Sequence, residues 1–467
     1  MEPSIAQQLV GRTAALQWDD MPRAVQDKAK LLLLDTLGVA IAAVPNDYGK
    51  AARALVGGWG GAGGNAGNAG HGFATMIGSG QRATAHHAAL YNGIIAHGED
   101  YDDTHTAAVV HASAALVPAV LAAAEANGAS GRATLVALAL AAETAIRVAL
   151  PANNGFHLRG FHTTAVTTPF GAALAAARLR GLDAAGQVNA LGIAGSFASG
   201  LLECVPAAAG SKRLHAGWAS ANGLIAADFA AAGTTGPASV FDGKFGLYNA
   251  FLRGQDIDTT MLVDGLGMHW HMLDLSPKLY PACHYVQAFL DAAKVLRDRG
   301  ARPADVARID CRIAQGGVNI VCEPWASKIT PKTGYDTRFS LPFAVASMLV
   351  TGKGGAEQFS DAACQDPDIV ALMRKIQYSV DPAYLVKEMP AALDITLNDG
   401  RVLAHEIRHG RGDAAHPIPR AELVAKFEAN TAALGAGTSA TLSEMIDRLD
   451  QLDDIGALLR AIPVIPA

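Results

Sequence analysis

The stretch HGEDYDDTHTAAVVH, residues 97–111, holds three histidines and four carboxylates in fifteen positions, set in a chain otherwise rich in alanine, leucine, valine and glycine. Such a concentration of titratable groups suits a metal site, a proton-transfer site or a charged helix end in solvent. Histidine and carboxylate at helical spacing can ligate zinc or iron, and His97 with Asp100 has that spacing. HExxH is absent, however, and no second ExxH motif supplies the rest of a bundle-type dimetal site, so no metal is expected. Read as one helix, ATAHHAALYNGIIAHGEDY sets Leu90, Ile94, His97 and Tyr101 along one face. Its continuation puts Asp100 and Thr104 four apart on a common face. Asp103 and His105 then crowd the helix end, and His111 lies just before a new apolar helix.

Two further histidines and one lysine stand out. RGFHTT sets His162 between a glycine-containing turn and a helix start. YPACHYVQAFLDAAK sets His284 after Pro281, at the start of another helix. Either could be a satisfied structural histidine. In AAAGSKRLHAGWASANG, Lys212 enters the first turn of a helix, where the helix dipole opposes a cation. A lysine there is a solvated tip, or it has a reason to be there: an anionic ligand or proton transfer.

The elements that must hold these groups are mostly helices. Residues 1–270 read as helix after helix. Pro22 opens one whose apolar face runs through Val25, Ala29, Leu32, Leu33, Thr36, Leu37 and Ala40. TTPFGAALAAARLRGLD has Thr168 as N-cap and Pro169 at its first position, Arg178 and Arg180 in its last turn and Gly181 as its stop; Asp183 caps the next helix. From about residue 271 the texture changes. VARIDCRIA and YSVDPA read as strands, FSLPFAVASMLVTG as a helix, and AALDITLNDGRVLAHEIRHG as a hairpin turning at Asn398-Asp399-Gly400. Helices return from residue 409. The expected fold is mainly α: a large all-helical domain built from residues 1–270 and 409–467, with a smaller α+β domain, 271–408, inserted. The glycine-rich stretch 57–72 has no preceding strand and no following Lys-Ser or Lys-Thr, so it reads as a surface loop and not as a phosphate cradle.

Composition narrows the function. The 467 residues can bury a sizeable core, and with half of them hydrophobic and 17% charged the chain is not disordered. Abundant small residues predict closely packed helices. The net charge of −6 and the absence of a basic stripe argue against nucleic acid and anionic membrane as partners. Five scattered cysteines with no CxxC pair suit a reduced, cytoplasmic protein without a disulfide framework. The amino terminus lacks a signal-peptide pattern. Two apolar runs are broken by Asp35 and Pro45 and by Pro118 and Glu125, short of a membrane span.

Together the motifs resemble the 2-methylcitrate dehydratase and cis-aconitate decarboxylase family, MmgE/PrpD. They are NGIIAHGEDYDDTH, GFHTTAVTTPFGAALAAARLRGLD, GIAGSFASG followed by KRLHAGWASANG, YPACHYVQAFLDAA, FSLPFAVA and LNDGRVL with GRGDAAHPIPRAELVAKF. They cover nearly the whole chain in order. The resemblance implies a helical domain from both chain ends, an inserted α+β lid, a cleft between them and a homodimer. It implies lyase or epimerase chemistry on small di- and tricarboxylic acids without metal or organic cofactor. Residue by residue it points to Asp100, His111, His162 and Lys212 as catalytic, and to Thr104, Asp103, His284 and Lys212 as substrate-binding. Relatives carry a lid histidine where this chain has Gln287 or Cys283, and Ala-Ser follows His111 where Pro-Ser is usual.

Each of the family's reactions must stabilise negative charge on a carbon beside a carboxylate. A cofactor-free site therefore needs a base, an acid and cations. The expected roles are His111 as general acid/base, Lys212 and His162 as carboxylate-binding groups, Asp100 as a histidine-orienting carboxylate or partner base, and Thr104 as a hydrogen-bond donor to a carboxylate. Dehydration is placed ahead of decarboxylation, and both ahead of epimerisation of a dicarboxylate such as iminodisuccinate. A non-catalytic polycarboxylate-binding protein is the alternative outside enzymes.

Overall fold

The computed structural model describes residues 2–61, 72–205, 207 and 209–466. The fold is mainly α, and the chain divides into two compact units. The first comprises Met1–Gly98, Asp102–Leu275 and Pro419–Ala467; the second comprises Glu99–Tyr101 and Ser276–Ile418. The second unit thus ends after Ile418, beyond the expected boundary at residue 408, and takes in three residues of the histidine- and carboxylate-rich stretch 97–111.

The first unit is built on α1 (Arg23–Ala43), α2 (Ala85–His97), α3 (Ala112–Ala126), α4 (Gly131–Ala149), α5 (Thr163–Leu179) and α6 (Leu214–Ala231). These helices share one apolar core. Small residues let their backbones nearly touch. A Cβ on Gly93 of α2 would lie 2.6 Å from the Cα of Gly217 on α6, and one on Gly171 of α5 would lie 2.3 Å from the Ala141 carbonyl of α4. Larger residues at those positions would push the helices apart. By length and composition one helix, Gly131–Ala152, could cross a membrane, but 89% of its apolar window is buried inside the protein, as expected of a core helix.

Two of these helices run through prolines that the sequence reading treats as a start or a break. Pro118 lies inside α3, and α5 starts at Thr163, six residues before Pro169, with His162 and not Thr168 at its N-cap. Near Pro169, the hydroxyls of Thr167 and Thr168 donate to the carbonyls of Thr163 and Thr164 at 3.0 and 2.7 Å. Buried packing against α4 and α6 holds the helix where propensity would end it. Elsewhere the local signals match the structure: Gly181 stops α5 with φ +75°, and Asp183 accepts the Gly186 N–H at 2.8 Å. Of the glycine-rich stretch, Gly57–Gly61 form a helical turn rather than a loop, and 62–71 lie outside the described residues.

The second unit opens with α7 (His284–Asp298) and has its own core. A four-stranded sheet of β1 (Val306–Ile313), β2 (Ile376–Val380), β3 (Ala391–Leu397) and β4 (Val402–Ile407) has the order β2-β1-β3-β4. β1 and β2 are parallel, with Ile309 opposite Ile376, so they need a crossover, which carries α8 (Leu341–Thr351). The β3–β4 hairpin turns through Asn398-Asp399-Gly400 with Gly400 at φ +86°. α7 packs on β3 and β4. The chain then returns to the first unit through α9 (Arg420–Asn430), which packs on α1.

Candidate active site

In the first unit, chain ends and helix starts deliver five imidazoles to one place. α2 ends at His97, and the expected continuation to Thr104 does not form. Asp100 takes a left-handed φ of +50°, and Thr104 with His105 forms a short strand. Asp100 and Thr104 therefore share no helix face. The reversal brings Asp102 back to His97, with Nδ1 to Oδ2 at 3.0 Å, and Asp102 is fully buried.

His111 is the N-cap residue of α3. Its backbone N–H donates to Thr164 Oγ1 on α5 at 3.0 Å. Its Nδ1 is 2.9 Å from the Asp103 carbonyl, 3.2 Å from Thr104 Oγ1 and 3.5 Å from Asp102 Oδ2. A carbonyl can only accept, so Nδ1 carries a proton and any proton that His111 exchanges passes through Nε2. His97 follows the same rule through Asp102. Its Nε2 is buried without a hydrogen-bond partner, open to a proton, a metal ion or a substrate oxygen. Asp103, expected to touch substrate, is instead spent on α3. Oδ1 accepts the Ser113 N–H at 3.1 Å, and Oδ2 accepts the Ser113 hydroxyl. Burial pushes its carboxyl up to about 7 against those hydrogen bonds, and the nearby Asp102 adds to the rise.

His162, at the N-cap of α5, is the hub. Its ring centroid is 5.8 Å from those of His97 and His111, 5.9 Å from His157 and 5.1 Å from His215. Its Nδ1 is 3.0 Å from the Nδ1 of His215, and His157 Nδ1 is 2.6 Å from Thr163 Oγ1. Lys212 lies in a short turn, Gly210–Arg213, that runs into α6, and it is 7% exposed. The next residue, Arg213, ties that turn to the end of α2: its Nε donates to the Gly98 carbonyl at 3.0 Å, and its guanidinium lies 4.7 Å from the centre of the Tyr48 ring.

The electrostatics are those of neutral imidazoles kept beside a lysine. Burial and Lys212 hold His157 down to about 4. Burial, His97 and Lys212 hold His215 down to about 4. Burial, Lys212 and the surrounding rings hold His162 well below the usual histidine range. At neutral pH His162 is thus an uncharged donor and acceptor, not the cation the sequence reading assigns. The cluster offers proton-transfer atoms on His97 and His111, a neutral imidazole at its hub and an ammonium beside it. Such a set can bind carboxylate groups and move a proton at a neighbouring carbon.

The remaining two sequence-predicted residues, Asp100 and His284, lie in the second unit. The Nζ of Lys278, fully buried, is 2.9 Å from the Asp100 carbonyl and 3.3 Å from its Oδ2. His284 starts α7. Burial and then Lys278 hold it down to about 3, although Asp100 opposes them, and its Nδ1 is buried without a hydrogen-bond partner. Arg338 fastens residues 99–101 to this unit, donating to the Glu99 carbonyl at 2.6 Å, the Pro281 carbonyl at 3.0 Å and the Glu99 carboxylate. Gln287 is a structural clamp. Its Oε1 accepts the N–H groups of Leu279 and Tyr280, and its Nε2 donates to the carbonyls of Tyr280 and Ala282. The sequence reading misses Asp102, His157, His215 and Lys278 as site residues. His215 lies within the quoted KRLHAGW motif and could have been flagged there; a lone lysine such as Lys278 gives no signal.

Comparison with known proteins identifies the family. The MmgE/PrpD N-terminal domain matches residues 7–260 and the MmgE/PrpD C-terminal domain residues 280–451. A cis-aconitate decarboxylase of Aspergillus terreus is 26% identical over 96% of this chain and 93% of its own. The cis-aconitate decarboxylase of Homo sapiens is 28% identical over 80% and 78%. A 2-methylcitrate dehydratase of Cupriavidus necator is 29% identical over 48% of each chain. The chain belongs to the MmgE/PrpD family and is a lyase-type enzyme.

Proposed function

We propose that this lyase decarboxylates a small unsaturated tricarboxylate of the cis-aconitate type, by acid/base chemistry that needs no metal or organic cofactor. The observation that carries the reading is the His111 geometry. A carbonyl holds the Nδ1 proton and a carboxylate stands 3.5 Å away, leaving Nε2 as a proton-transfer atom within a cluster that contains a buried lysine. The resemblance ranks dehydration first. The order is reversed here because the decarboxylase relative is aligned over 96% of the chain and the dehydratase over 48%.

In the proposed step the C–C bond to the departing carboxylate breaks and CO2 leaves. Its electron pair forms the new double bond, and the former π pair takes a proton at the alkene carbon from His111 Nε2, which takes that proton from solvent as the anion binds. One proton enters and one CO2 departs. Lys212 pairs with a retained carboxylate, and His162 donates to a carboxylate as a neutral imidazole. Asp102 orients His97 and His111, the part first given to Asp100. Thr104 acts through His111. The dehydratase reading uses the same groups, with a base taking the proton next to a carboxylate and an acid protonating the departing hydroxyl.

His111→Ala and Lys212→Ala are each expected to lower turnover of cis-aconitate by ~10²-fold or more, with the fold intact by circular dichroism. Wild-type rates in both would remove the assignment. Turnover of 2-methylcitrate alone would favour the dehydratase, and loss of activity in EDTA would reinstate a metal.

A further inference from the structure

The two Nδ1 atoms of His162 and His215 lie 3.0 Å apart, so one of them donates and the other accepts. We propose that His215 is the donor and acts as a positioning residue: its Nδ1–H holds His162 as the tautomer with its proton on Nε2, so that His162 meets a substrate carboxylate with an N–H.

This rests on the reading of His162 as a carboxylate-binding group, and three observations favour the direction. A neutral imidazole can serve a carboxylate only through an N–H, and His162 is neutral because burial, Lys212 and the rings of His97, His111 and His215 all disfavour its charged form. Those groups and His157, packed edge-on at 5.9 Å, are the titratable and charged groups that face it. Next, the Nδ1 atoms of His97 and His111 are turned to Asp102 and to the Asp103 carbonyl, so a proton on His162 Nε2 adds a donor to a cluster whose Nδ1 protons are engaged elsewhere. Last, His215 is only half-buried, so it can carry the less favoured tautomer with its own Nε2 served by water.

The test is long-range proton–nitrogen NMR of histidine-labelled full-length protein, which reads ring tautomers without substrate, joined to kinetics. In the wild type His162 is expected with its proton on Nε2 and His215 with its proton on Nδ1. His215→Asn, whose carboxamide N–H stands where Nδ1 stood, keeps the His162 pattern and the KM. His215→Phe populates both His162 tautomers and raises KM for cis-aconitate roughly tenfold with a smaller change in kcat, the loss of one charge-assisted hydrogen bond. Unchanged His97 and His111 signals report an intact fold. A proton on His162 Nδ1 in the wild type, or a His215→Phe protein with unaltered His162 signals and KM, overturns the proposal. If the wild type turns over no polycarboxylate, the proposed function fails, while the spectra still decide the tautomer.

Discussion

Two buried groups of residues, one in each unit, treat charge differently. In the second unit Lys278 meets Asp100 through both carboxylate and carbonyl, a buried ion pair at 3.3 Å. In the first unit five imidazoles gather near Lys212, and burial together with Lys212 disfavours the charged form of His157, His162 and His215. The first arrangement pairs opposite charges; the second gathers imidazoles whose charged form burial disfavours. Proton transfer belongs to the second kind.

The sharpest way to break this contrast is Lys278→Met. It leaves the Asp100 carboxylate buried without its cation and is expected to lower stability to denaturant by about 3–5 kcal/mol, with Lys278→Met/Asp100→Asn recovering most of the loss. A single variant as stable as the wild type would show that the pair is not a fixed charge. A smaller effect is spread over the neutral histidines. Their folded values lie below the ordinary 6.5, at about 4 for His157 and His215 and about 3 for His105 and His284. The unfolded chain therefore binds more protons in that interval. The stability they contribute is complete above pH 6.5 and is lost as pH falls toward about 3. Asp35 and Asp103, whose carboxyls are raised, work the other way but are fewer. Thermal melts across that range are expected to show a falling midpoint; a flat profile would mean that the fold does not depress these imidazoles.

Much of this was legible before the structure. His111 and His162 announce themselves by standing at helix starts, Lys212 by standing where a helix dipole opposes it, and the hairpin by Asn-Asp-Gly. What failed was extrapolation of helical spacing. The chain leaves the helix after His97 and reverses through the left-handed Asp100, which gives Asp102 its 3.0 Å contact with His97 and pairs Asp100 with Lys278. Pro169 misled for a related reason. Propensity is local, and threonine hydroxyls together with a packed core carried α5 through it. Lys278 and the His162–His215 contact depend on residues far apart in sequence, which no periodicity encodes.

The central claim is that the imidazoles of the first unit deliver a proton to a carbon of a bound polycarboxylate. Proton and carbon NMR of cis-aconitate incubated with the enzyme in heavy water reads that event directly. The account predicts loss of CO2 with one deuteron placed on a single face of the former alkene carbon, and formation of that product slower by ~10²-fold or more with His111→Ala. Binding without product or deuterium incorporation for cis-aconitate and 2-methylcitrate alike would contradict it and leave a protein that only holds the acid.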